Sequence, residues 1–200
     1  MAAGGCSRRK AILLASFGAM LFVQGCGFGW LYMRIGDSYR IKGRKILLYD
    51  RTPKRFLNAQ QQYRYALEKY EESILYDEWG NMEVYHKAGF TCLLLSPPDY
   101  RRAMDYFKKG IKYKRKQADE AGKSDNLQKT DDRWEIQYLN IKDEDYAMMH
   151  AGMGTVLFLT GVRDHDEDKL SKAVSYYRVA DEVSRHTRRK GGAFLSKILD

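Results

Sequence analysis

Three stretches of the chain carry apolar and small residues at one helical spacing. They are Tyr63-x-x-Ala66-Leu67-x-x-Tyr70-x-x-Ser73-Ile74, Tyr100-x-x-Ala103-Met104-x-x-Phe107-x-x-Gly110-Ile111 and Leu170-x-x-Ala173-Val174-x-x-Tyr177-x-x-Ala180. In each, a small residue, a ring four positions on and a second small residue three beyond that fall on one stripe, where small side chains let a neighbouring helix come close. The three alanines stand 37 and 70 residues apart. The pattern therefore predicts an all-α chain in which each stretch is the second helix of a helical hairpin.

The remaining pattern fills in the partners. Residues 31–49 read as one helix, or as two short ones broken near Gly36 or Gly43. Pro53 suits the first position of a helix and Thr52 its N-cap, so a helix is predicted over 54–78, ended by Gly80-Asn81. Residues 82–95 form the first helix of a hairpin, with Tyr85, Ala88, Gly89 and Cys92 along one face, and Ser96-Pro97-Pro98-Asp99 makes the turn into a helix over 100–118. A polar loop is expected at 122–132, a short helix opening near Asp131-Asp132-Arg133-Trp134, and Asp143 as the cap of a helix over 144–160. Gly161 to Asp168 reads as an acidic turn before the last helix, 170–188, and Gly191-Gly192 sets off an apolar tail, Ala193-Phe194-Leu195.

Spacings close to one and two periods of 34 residues, with large, small, small and medium residues at Tyr85, Ala88, Gly89 and Cys92, resemble the tetratricopeptide repeat over roughly residues 54–188. The resemblance implies an irregular array of about five to seven helices that binds protein segments along a groove, without enzymatic activity. Residues 115–140 fit a regular repeat poorly, and the proline common near the end of such repeats is missing. Partner binding is expected from the first helices of the hairpins, at Tyr85 and His86 and at Met148, Met149 and His150, where adjacent methionines adapt to varied apolar surfaces.

The N-terminus adds a membrane to this picture. Arg8-Arg9-Lys10 precedes an apolar run over 11–23 and then Gln24-Gly25-Cys26, the layout of an export signal. The arrangement resembles a bacterial lipoprotein signal, which implies cleavage after residue 25, lipidation of Cys26 and a domain facing the periplasm. The rival is an uncut anchor over 11–33, long enough to cross a bilayer. Residues 34–55 hold eight basic against two acidic side chains, and Arg34, Arg40, Lys42, Arg44 and Lys45 are expected to face anionic headgroups. The chain's net charge of +9 lies entirely in residues 1–60, since residues 61–200 hold 24 charges of each sign. No nucleic-acid-binding motif accompanies it. The domain organisation expected is a signal or anchor at 1–25, a basic juxtamembrane segment at 26–53 and a helical domain at 54–200.

No catalytic, cofactor or metal motif stands out. The histidines at 86, 150, 165 and 186 make no ligand spacing, and Arg163-Asp164-His165-Asp166-Glu167-Asp168 lacks the order of a calcium loop and reads as a solvated capping turn. Gly152-Met153-Gly154-Thr155 reads as close helix packing, and Lys108, Lys109, Lys112, Lys114, Arg115 and Lys116 as a solvated helix end. Cys92 reads as a small buried hydrophobe. The function expected is an adaptor or assembly protein of a cell-envelope complex, with protein partners, lipid through Cys26, and self-association through the apolar tail open. The alternative is a transporter accessory that holds a small ligand in a helical pocket, which would show as an enclosed cavity with converging polar groups instead of an open apolar groove.

Overall fold

The computed structural model describes residues 6–49, 52–76, 82–120 and 144–188, with side chains from Phe28 onwards apart from Asp119 and residues 186–188. Among the described residues there are six helices: α1 (Cys6–Tyr49), α2 (Pro53–Tyr76), α3 (Glu83–Leu94), α4 (Tyr100–Glu120), α5 (Glu144–Asp164) and α6 (Glu167–Arg188). Consecutive pairs form three hairpins. The second hairpin stands between the first and the third, with α2 on α3 and both α3 and α4 on α5. One apolar core runs from Met33 through Tyr70, Tyr85, Phe107 and Tyr146 to Val183. The chain is an all-α hairpin array.

Each hairpin closes by the same device, a side chain of its second helix laid over a glycine of its first. A Cβ on Gly36 would stand 2.6 Å from the Tyr70 ring, and one on Gly43 would stand 2.8 Å from the Tyr63 ring. The last hairpin repeats the arrangement with Gly154 under Tyr177 and Gly161 under Leu170. In the middle hairpin, Gly89 lies under Phe107, and the same ring also covers Gly152 of α5. Phe107 thus closes its own hairpin and fastens the next one to it.

This construction decides one open reading and corrects one expectation. Of the two readings of residues 31–49 the single helix holds: α1 runs without interruption from Cys6 to Tyr49, and Gly36 and Gly43 serve close approach by α2. Packing of α1 against α2 extends back to Gly29, where Ser73 Oγ donates to Gly29 O at 2.6 Å. The acidic turn is also shorter than predicted. α5 continues through Gly161 to Asp164, His165 takes a left-handed φ of 52°, and Asp166 N donates back to Gly161 O at 2.9 Å, a Schellman-type ending. Asp166 Oδ1 accepts from Lys169 N at 3.0 Å and so caps α6.

Outside the described residues lie the Gly80-Asn81 stop, the loop at 122–132, the short helix near Trp134, the Asp143 cap and the tail at 193–195. The side chains of the apolar run and of Cys26 lie outside them too. Among the residues whose side chains are described, no helix is long and apolar enough to cross a membrane, and the apolar run at 11–23 is not among them.

Candidate functional site

The residues expected to meet a partner fall into the seam between the second and third hairpins. Tyr85 is 1% exposed and Met149 and His150 are fully buried. Tyr85 and Met149 meet over Gly110, where the Met149 sulfur occupies the space a Cβ would take. These three side chains cannot line an open groove, because α3 is covered by α2, α4 and α5 together. His86 is half-buried, with Nδ1 3.3 Å from Asp145 Oδ1 across the same seam. Met148 is half-buried as well.

His150 is an unusual tenant of that seam. Its ring lies edge-on to Tyr146 at 4.5 Å and tilted against Tyr176 at 5.6 Å, and neither ring nitrogen has a hydrogen-bond partner. Burial, helped by the charge of Arg115, pulls its pKa down to about 3. The imidazole is therefore neutral packing material at physiological pH.

A polar lock ties the first hairpin to the second. Tyr70 donates its hydroxyl to Asp37 Oδ1 at 2.8 Å, and Lys87 Nζ donates to Asp37 Oδ2 at 2.6 Å while also pairing with Glu83 at 2.6 Å. Burial, joined by the Asp37 carboxylate, raises Tyr70 far above the usual phenol range. Gln60 adds a clamp on the turn between α3 and α4, donating to Leu94 O at 3.1 Å and accepting from Ser96 N at 2.7 Å. On the surface, Glu71 takes both Arg102 and Tyr106. Cys92 is fully buried, and burial pushes its thiol up to about 12, so it is not a nucleophile.

Four of the five basic residues of α1 expected at headgroups line one groove that also holds Asp37. Arg34, Arg40, Lys42 and Lys45, with Ser38 and Ile41, line a shallow groove of about 530 Å³ along the helix. Arg40 and Arg44 lie near the Tyr63 phenol, whose pKa burial raises against their pull. Lys42, Arg44 and Lys45 lie 14 to 17 residues beyond Phe28, about 21 to 26 Å of helix, whereas Arg34 is within about 9 Å.

Two surface features were not anticipated. An open cavity of about 440 Å³ between α4, α5 and α6 is lined by Lys108, Lys112, Arg115 and Lys116 over Ile111, Met153 and Tyr176. The last hairpin also exposes an apolar face. Phe158, Leu159 and Val162 of α5 and Val174 and Tyr177 of α6 are all at least 38% exposed. The register that lays Tyr177 on Gly154 and Leu170 on Gly161 brings Val174 level with Phe158. The chain matches no family model, no curated protein and no solved structure.

Proposed function

We propose that the chain is a membrane-attached, non-enzymatic adaptor of a bacterial cell envelope, a tetratricopeptide-like hairpin array that holds a protein partner. The observation that carries this reading is the open apolar face of the last hairpin: a stacked array buries such a face against its next member, and here Phe158, Val162 and Val174 are left facing outwards. The groove first expected at Tyr85, Met149 and His150 is replaced by this face. The layout of residues 8–26 supports membrane attachment, through a lipidated Cys26 or through an uncut α1.

Photo-crosslinking in intact cells tests the reading. A crosslinker at Val174 should give one discrete adduct that disappears with Val162→Lys, while the same group at Lys109 should give none. Equal, diffuse labelling from both positions would count against an adaptor. The ligand-carrier reading draws on the basic cavity lined by Lys108, Lys112 and Arg115. It predicts thermal stabilisation by small anionic metabolites and its loss in Lys112→Glu, with no discrete adduct at Val174.

A further inference from the structure

The start of the first hairpin carries apolar surface that the stack does not use. Phe28, Trp30 and Leu31 of α1 and Leu75 and Tyr76 of α2 are between 44% and 81% exposed. The register that sets Gly36 under Tyr70 and Gly43 under Tyr63 puts Leu31 level with Leu75 and Trp30 level with Tyr76. Rings bind this end together: Tyr76 stacks on Tyr32 at 5.2 Å and lies 6.1 Å from Phe28. One turn further along, cations sit on the same rings, with Arg34 5.7 Å over Trp30 and Lys69 5.6 Å over Tyr32.

An aromatic and aliphatic rim followed within one turn by basic side chains is the order met on leaving a bilayer, where Trp and Tyr favour the headgroup level and Lys and Arg the phosphates. The chain's own continuity names the occupant. α1 reaches this rim directly from the apolar run at 11–23 in one unbroken helix, so the surface nearest the rim is the one that run enters. We infer that this end of the first hairpin is a lipid-interface collar, which seats the array directly on the bilayer with no flexible tether. The inference rests on the membrane attachment proposed above and adds an orientation to it. α1 stands across the headgroup layer, Arg34 meets phosphates while Lys69 stays held by Glu72 at 2.6 Å, and Lys42, Arg44 and Lys45 stand clear of the phosphates in solvent. If Cys26 is lipidated, only Gly27 separates it from the collar.

The test uses the full chain with Trp79→Phe and Trp134→Phe, leaving Trp30 as the sole tryptophan, reconstituted with phosphatidylethanolamine and phosphatidylglycerol vesicles that carry bromine near the headgroup or deep in the acyl chains. Flotation with the vesicles reads attachment, and quenching reads the collar. The expected result is flotation, a blue-shifted Trp30 emission and loss of most of that emission with the shallow bromines. A Trp30→Phe, Leu75→Trp chain should behave alike, which extends the contact to α2, and a Trp30→Phe, Leu48→Trp chain should stay red-shifted and unquenched. Floating chains whose emission is red-shifted and unquenched, both with Trp30 alone and with Leu75→Trp, would overturn the collar and leave attachment standing. Blue-shifted but unquenched emission would assign the rim to a second copy or a protein partner and overturn it too. Failure to float would overturn attachment itself.

Discussion

The first and last hairpins are built on one plan and stand in opposite surroundings. Both place two glycines seven residues apart on the first helix, Gly36 and Gly43 in one and Gly154 and Gly161 in the other, under side chains spaced alike on the second. In the first hairpin the covering rings are themselves sealed: Tyr70 is 0% and Tyr63 2% exposed, with Asp37, Lys87 and α3 packed beyond. In the last hairpin Tyr177 is 38% exposed and touches solvent on its outer side. The same glycine spacing is thus an obligatory contact at one end of the stack and a tolerant one at the other. Tolerance belongs to the face left open to solvent.

Breaking the lock should have the largest effect. Lys87→Met leaves the Asp37 carboxylate facing Tyr70 without its cation and should cost about 3 kcal/mol in chemical denaturation in mild detergent, because removing one partner of a buried pair strands the other. The corresponding pair in the last hairpin, Lys169 with Asp164, is exposed, and Lys169→Met should change stability by less than about 1 kcal/mol. Gly36→Ala comes next. Its Cβ would meet a ring that has no room to move, so a loss of about 2 kcal/mol is expected. Gly154→Ala should cost less, under about 1 kcal/mol, since Tyr177 can swing outwards and helix propensity offsets the remaining pressure on the Ala173 backbone oxygen at 3.2 Å. Equal losses at Gly36 and Gly154 would erase the distinction between the two ends.

A pH profile sharpens the comparison at the seam. His150 stays neutral in the folded protein down to about 3, while the unfolded chain takes up its proton from about 6.5 downwards. The unfolded state binds more protons throughout that window, so stability falls as pH falls through it, by up to about 1.4 kcal/mol per pH unit. Arg115, the charge facing this ring, acts in the same direction. His150→Phe should flatten the profile between pH 6.5 and 4. It should leave stability at pH 7.5 unchanged or slightly higher, because two unpaired buried nitrogens are removed. A wild-type profile that is flat over this range would contradict a buried neutral imidazole.

The second helices of all three hairpins were legible because a ring between small residues is a strong periodic signal on one face. The first helix of the first hairpin was legible only as one of two readings, since Gly36 and Gly43 also read as breakers when taken singly. Their spacing, repeated at Gly154 and Gly161, was the available clue that they serve packing. Tyr85, Met149 and His150 were misread for a different reason. Large side chains on a first helix line a groove only where that helix keeps a free face, and α3 and the seam side of α5 have none. Which hairpin ends up at the edge of the stack depends on contacts between segments far apart in sequence, and no local pattern encodes it. The exposed pair Val174 and Phe158 was accordingly invisible until the register of α5 against α6 was known.

Residues 28–49 pack on α2 as the first helix of the array, where a separate juxtamembrane segment would stand apart from it. Amide hydrogen exchange on the full chain in lipid nanodiscs tests this packing most directly. Protection at residues 33–46 matching that of α2, continuous through Gly36 and Gly43 and lost together with α2 protection in Gly36→Ala, is the predicted result. Exchange at free-chain rates over 33–46 beside a protected α2 would contradict the account.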